Sequence, residues 1–354
     1  MTIASTPADL LALSTAQAPH VLWQAEAVQV AERMFEGRFS GWERMRPVFD
    51  SAGIDQRQTA MPIDWYLEPR GWTERTAAYL EVGTDLFVAA AQGALAEAGL
   101  SGGEVDVIVT LSSTGIATPS LEARASGRLG FRPDAARVPV FGLGCAGGAT
   151  GLALAARLAG ATPGAVVLLV VVELCTLSFR SDDLGKADIV ATALFGDGAA
   201  ACVLRSGAGG GFARTEASAE HTWPDPLDVM GWRVDPTGLG VIFDRAIPPF
   251  ARNRLRPAVE EMLAGQARTL DDIDRFICHP GGMKVIDALE SSLKLQVGSL
   301  DHERAVLRDH GNMSAPTVLH VLDRARRAGL PPCSVVLALG PGFTCSTVTL
   351  EALA

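Results

Sequence analysis

Residues 138–157 read Val138-Pro-Val-Phe-Gly-Leu-Gly-Cys145-Ala-Gly-Gly-Ala-Thr-Gly-Leu-Ala-Leu-Ala-Ala-Arg157. An apolar, strand-like run enters a glycine-flanked turn, Cys145 follows, and a helix of small residues leaves it. The thiol therefore sits at a helix N-terminus, where unpaired N–H groups and the helix dipole favour the thiolate. A thiol on a sharp strand-to-helix turn is a nucleophile's position. The expectation is an α/β enzyme that works through a covalent intermediate.

Outward from that turn, two stretches share one layout. In the first, a helical pattern (Thr84 to Leu100) leads to the strand-like Val105-Asp-Val-Ile-Val-Thr-Leu-Ser-Ser-Thr-Gly115, then to the Cys145 turn and its helix, then to Ala165-Val-Val-Leu-Leu-Val-Val-Val-Glu173. In the second, a helical pattern (Arg256 to Gly265) leads to Arg275-Phe-Ile-Cys-His-Pro-Gly-Gly282. A second glycine turn at Gly311-Asn312 and a helix (Ser314 to Ala328) follow, and then Cys333-Ser-Val-Val-Leu-Ala-Leu-Gly340. From Thr114 to Cys145 is 31 positions, and from His279 to Asn312 is 33. Order and spacing together predict two copies of one α/β unit, with halves at 1–206 and 207–354. Continuous Val/Leu runs suit strands covered by helices on both faces. A turn-rich insert from about Gly207 to Phe250, containing Trp223-Pro-Asp-Pro226, is expected to build a substrate pocket.

Composition narrows the function classes. The 354 residues are 48% hydrophobic and carry a formal net charge of −10. A nucleic-acid binder is disfavoured, because phosphate contacts dominate that affinity. The six cysteines form no C-x-x-C pair and have no zinc-ligand spacing, so no metal is expected. Mostly in apolar runs, they suit free thiols in a reducing compartment. The N-terminus lacks the basic start and apolar block of a signal peptide. The run Val166–Val172 is too short to span a bilayer. A cytoplasmic protein without stable membrane insertion is expected.

Two further residues complete the chemistry. His279 leaves a strand into a Gly-Gly turn, and an imidazole there suits a base for a thiol or a donor to an oxyanion. Asn312 stands in the second copy where Cys145 stands in the first. If the halves pack about a pseudo-twofold axis, both helix starts converge and the Asn amide can serve an oxyanion; taken alone, Asn312 reads as a helix N-cap. The other histidines fit structural roles. Asp197, between two glycines, reads as a turn holder, Phe195 as lining a cleft or packing in the core, and Cys175 as a core thiol. Glu173 ends an apolar strand and needs a hydrogen-bond partner.

Taken together, Gly144-Cys145-Ala-Gly-Gly, Ala193-Leu-Phe-Gly-Asp-Gly-Ala, His279-Pro-Gly-Gly, Gly311-Asn-Met-Ser-Ala and Gly340-Pro-Gly-Phe343 resemble the type III polyketide synthases, the chalcone synthase family of the thiolase superfamily. The resemblance runs from about residue 20 to the C-terminus. It implies a duplicated five-layered α-β-α-β-α sandwich, a homodimer with Thr118 near its interface, and a Cys145–His279–Asn312 triad. It makes Phe195 the aromatic between a CoA tunnel and an inner cavity. Ser314, Thr114 and the 340–343 turn (Gly340, Phe343) would line that cavity, and Arg44, Arg46, Gly281 and Gly282 would contact CoA. No cofactor is implied; acyl-CoA and malonyl-CoA are the substrates.

Departures from the plant enzymes shape the expected product. Their second gatekeeper Phe corresponds to Val241, while Cys175 and Ser178 are small at positions that narrow the plant cavity, and Trp232 acts oppositely. This apolar set points to an aliphatic starter, and Met230-Gly-Trp-Arg-Val-Asp235 resembles bacterial enzymes that use long-chain fatty acyl-CoA. The expectation is decarboxylative Claisen condensation of malonyl-CoA onto a long-chain starter held on Cys145, then closure to an alkylpyrone or alkylresorcinol. A β-ketoacyl synthase III-like single condensation is the alternative; Pro-Gly-Gly after His279, where that type has Gln-Ala-Asn, argues against it.

Overall fold

The computed structural model describes residues 2–3, 6–180, 185–224, 227–244 and 246–353. Asp225 and Pro226 of the expected turn lie outside these.

The N-terminal half contains strand β1 (Ala8–Gln17), α1 (Trp72–Ala98), β2 (Val107–Leu111), α2 (Leu121–Leu129) and β3 (Ala136–Val140). Then come α3 (Gly147–Ala161), β4 (Val166–Leu174), α4 (Lys186–Leu194) and β5 (Asp197–Ser206). The C-terminal half contains β6 (Ala213–Thr222), the hairpin β7 (Met230–Asp235) and β8 (Gly238–Phe243), α5 (Ile247–Ala264), β9 (Arg275–Cys278) and α6 (Met283–Leu293). It ends with α7 (Asp301–His310), α8 (Pro316–Gly329), β10 (Cys333–Gly340) and β11 (Thr344–Ala352).

The main sheet runs β9-β10-β11-β6-β1-β5-β4-β2-β3, with Thr2–Ile3 added on β6. β2 pairs in parallel with β3 and β4, and β9 with β10; the other pairs are antiparallel. The two halves meet where Ala8–Leu10 of β1 pairs with Ala213–Thr215 of β6. β1, β2, β4 and β5 thus have counterparts in β6, β9, β10 and β11. The copies diverge where the first has β3 and the second has α7.

Five layers follow from three apolar clusters. Along β4, Val167, Leu169 and Val171 face a central layer made of α3 and α8, which also packs on Val336 and Ala338 of β10. Val166, Leu168, Val170 and Val172 face the outer layer of α1 and α2. On the far side, Phe276, Val335 and Leu337 face α5 and α6. The alternation along a strand buried on both faces is the reason the run is wholly apolar.

One reading is corrected. The stretch from Gly207 begins with β6, a ten-residue strand of the main sheet, because Ala213, Thr215 and Ser218 alternate inward as the counterpart of β1. Within that stretch β7 and β8 form a separate two-stranded sheet; His20–Trp23 and Gln56–Thr59 form another. Among the described residues, no helix is long and apolar enough to cross a membrane.

The central helices touch backbone to backbone. A Cβ on Gly148 would fall inside contact distance of the Ala315 carbonyl oxygen and 2.6 Å from Val318 Cγ1. Gly148→Ala is therefore expected to lower stability by about 1–3 kcal/mol despite alanine's better helix propensity. On α2, where a Cβ at Gly127 would meet nothing within 4 Å, Gly127→Ala is expected to raise it by up to about 1 kcal/mol. Thermal unfolding midpoints that move in opposite directions check this; a stabilised Gly148→Ala variant would refute the close contact.

Candidate active site

Cys145 occupies a single 3-10 turn, Gly144–Ala146, that runs directly into α3. Gly144 has φ +47°, and a Cβ there would collide with Pro341 at 2.7 Å, so the turn needs glycine on both counts. Ser113 Oγ accepts from the N–H groups of Gly142 and Gly144 at 3.2 and 3.1 Å. The turn is thus pinned from one side by the end of β2 and from the other by the 340–343 turn.

Asn312 is fully buried. Its N–H donates to Leu194 O at 2.8 Å and its carbonyl accepts from Gly196 N at 3.0 Å. Its Oδ1 accepts from Ser314 N at 2.8 Å, and Nδ2 donates to Gly281 O at 3.2 Å. It is not the helix N-cap, which is Ala315. Because an amide carries two N–H donors, one is left for the cavity. Ser314 is held at φ +58°, outside the usual range for a serine. Its Oγ accepts from Cys145 Sγ at 3.5 Å.

His279 follows β9 and donates its backbone N–H to Leu337 O at 2.8 Å. The residue is 4% exposed, yet among the described residues neither ring nitrogen has a hydrogen-bond partner. Buried polar groups are rarely left this way. Cys145, His279 and Asn312 line one cavity of about 20 Å³, walled otherwise by apolar residues such as Ile247, Leu289, Leu337 and Leu339. Burial pushes the Cys145 thiol up to about 11 and the His279 imidazole down to about 4. Both effects penalise an isolated charge. Passing the thiol proton to the imidazole leaves the net charge of the cavity unchanged, so the two groups are expected to titrate as a pair.

A larger cavity of about 670 Å³ opens to solvent and shares Phe243, Gly281 and Val285 with the small one. Phe195 packs edge-to-face on Trp232 and Phe243, with ring centroids 6.4 and 6.2 Å apart. Its carbonyl accepts from Arg57 at 3.3 Å, a guanidinium that is completely buried. Thr114, Ser178 and Trp232 line a second cavity of about 20 Å³. Glu173 Oε2 accepts from Ser113 N and Thr114 Oγ1 at 2.9 and 2.8 Å, and burial pushes this carboxyl up to about 7.

Several sequence expectations are displaced. Phe243, two residues beyond Val241 on the same side of β8, lines both cavities and packs on Phe195, while Val241 is buried in the core and lines neither. Cys175 is likewise a core residue. Gly340 packs on Ala146 and Leu143 O, and Phe343 stacks with Trp223 and Phe250. The 340–343 turn therefore supports the Cys145 turn instead of lining the cavity. Arg44, Gly281 and Gly282 line the large cavity, but Arg46 pairs with Glu32 at 2.9 Å and does not. Sequence reasoning missed Lys186 and Lys284, both at that cavity; the scarcity of lysine, 3 in 354 residues, was the available signal.

Residues 1–208 match the family model for the N-terminal domain of chalcone and stilbene synthases, and residues 215–354 match the C-terminal one. A 1,3,6,8-tetrahydroxynaphthalene synthase of Streptomyces peucetius subsp. caesius is 39% identical over 360 residues, covering 99% of this chain and 94% of its own. A phloroglucinol synthase of Pseudomonas fluorescens is 27% identical over 340 residues, covering 94% and 97%. The crystal structure of 1,3,6,8-tetrahydroxynaphthalene synthase from Streptomyces coelicolor A3(2), a bacterial type III polyketide synthase, superposes with a TM-score of 0.92 at 28% identity, covering 98% and 99%.

The paired titration is measurable. Alkylation by iodoacetamide reports the thiolate. In His279→Gln, with no imidazole to take the proton, the Cys145 rate is expected to keep rising with pH toward about 11. The unmodified chain is expected to inflect at lower pH. Superimposable pH profiles would show that His279 is not the acceptor.

Proposed function

The chain belongs to the chalcone and stilbene synthases and is a type III polyketide synthase, an acyltransferase, and from that premise we propose that it builds a small polyhydroxylated aromatic from malonyl-CoA through a thioester on Cys145. The observation that supports this most is the buried imidazole of His279, unpartnered at both nitrogens in a cavity it shares with Cys145 and Asn312.

In this reading the Cys145 proton passes to His279, and Sγ attacks the thioester carbonyl. The C–S bond to CoA breaks, and the leaving thiolate takes the proton back. Malonyl-CoA then enters, its thioester oxygen between the His279 ring and the free Asn312 N–H. Its C–C bond to the carboxylate breaks, CO₂ leaves, and the electron pair becomes an enolate held by those donors. The enolate carbon attacks the Cys145 thioester and Sγ departs. Fixed donors in a water-poor site need no reorganisation at each step, which is why so few groups suffice.

A short starter is supported by the aromatic packing: Phe195, Trp232 and Phe243 close the space between the two inner cavities. Two relatives named above carry names for compact aromatic products. A long-chain fatty acyl starter with alkylpyrone or alkylresorcinol closure is the second reading, favoured by the apolar walls at Ile247, Leu289, Leu337 and Leu339. The edge at Thr118, where Ile116 and Phe141 are 56% and 57% exposed, suits contact with a second copy of the chain.

Cys145→Ala is expected to abolish product from malonyl-CoA, and Asn312→Ala to slow it by about 100- to 1000-fold. Mass spectrometry should show an aromatic product from malonyl-CoA alone, and Trp232→Ala should admit longer starters. A wild-type enzyme that turns over only when given a long-chain acyl-CoA would reverse the order of the two readings.

A further inference from the structure

A base that serves a thiol is normally oriented by a third group bonded to its ring. His279 has no such group among the described residues, so its backbone and the apolar walls must aim the imidazole. That backbone is held on both edges. The His279 N–H donates to Leu337 O on β10 at 2.8 Å, and its carbonyl accepts from Gly281 N at 3.1 Å. One residue back, the Cys278 N–H donates to Glu303 Oε1 at 2.8 Å.

The bond to Glu303 stands in for a strand. β9 ends the main sheet. Successive N–H groups along a strand point to opposite edges, so that of Cys278 faces away from β10. In the first copy the matching strand β2 has β3 outside it. The second copy has α7 instead, and Glu303, the third residue of that helix, reaches the open edge with its side chain. Glu303 is completely buried, and its Oε2 has no hydrogen-bond partner among the described residues. Arg275 Nη2 stands 3.6 Å from that oxygen and donates to Asp301 at 2.8 Å. Burying a carboxyl group costs free energy that a single backbone bond does not return, and such departures mark functional positions. The other end of the helix, His310, leads through Gly311 into Asn312. α7 is thus a ten-residue strut with the His279 strand tied to its first turn and Asn312 joined to its last.

We propose that Glu303 is a positioning residue: by gripping the Cys278 N–H it sets the His279 ring against Cys145 and fixes its separation from the Asn312 amide. The inference rests on the role given to His279 above. The grip needs an acceptor of the right reach, not a charge. Burial pushes the Glu303 carboxyl up to about 7, and a protonated acid still offers a carbonyl oxygen.

Three variants of the full chain separate reach from charge. Glu303→Gln keeps the acceptor oxygen and is expected to behave as the wild type. Glu303→Asp keeps the charge but is one methylene short, and Glu303→Leu keeps the bulk but has no acceptor. Both are expected to lower kcat on malonyl-CoA about 10- to 100-fold, with KM little changed. In both, the iodoacetamide profile of Cys145 should move to higher pH, toward that of His279→Gln, which lost stability alone does not cause. Glu303→Asp carries the test if Glu303→Leu does not fold. Glu303→Asp or Glu303→Leu protein that keeps the wild-type kcat, or loses it with an unmoved profile, overturns the Glu303 assignment while His279 keeps its role; so does a loss in Glu303→Gln. A His279→Gln profile that superimposes on the wild type overturns both.

Discussion

Everything at this site depends on two helices touching where they begin. Gly147 and Gly148 at the start of α3 lie against Ala315 at the start of α8, so close that a single methyl group would collide with backbone. That contact sets the turn carrying Cys145 beside the turn carrying Asn312 and Ser314. The surrounding sheets hold it in register: β2 supplies Ser113 under the first turn, and β10 places Gly340 against Ala146. A rigid crossing of this kind fixes atoms that lie 167 residues apart in the chain with the precision that catalysis requires.

The site's electrostatics come from exclusion of water more than from opposed charges. Burial disfavours charge on the thiol and on the imidazole separately, and neither is neutralised by a carboxylate partner. Glu173, the buried acid nearby, is itself drawn toward its protonated form. Proton exchange inside the cavity is therefore cheaper than exchange with solvent.

Much of this was legible in the sequence because it is local or periodic. The glycine-flanked Cys145 turn, the Val/Leu strands and the repeated order of elements each occupy a short window, and the repeat announced the two halves; the five layers came with the family resemblance. What was not legible depends on contacts across the fold. Whether Val241 or Phe243 meets Phe195 is decided by the twist and register of β8 against β7, a matter of two residues that no pattern in the segment reveals. The 340–343 turn looked like a cavity wall because glycines permit close approach, but what approaches it is the Cys145 turn. β6 was hidden because Ala213–Thr222 is mostly polar, with alanine as its only apolar residue type, weak against the Val-rich strands, although it serves as the counterpart of β1.

The hairpin of β7 and β8 stands apart from the main sheet, and it supplies Trp232 and Phe243, which close the inner space. Cys145 and Asn312 belong to the rigid crossing, and His279 to the end of β9. Substitutions in the hairpin can therefore leave the crossing undisturbed, whereas a methyl group added within the crossing collides with backbone. Over descent, the two parts are free to change at different rates. The mould that shapes the product can be recast one side chain at a time while the crossing stays as it is.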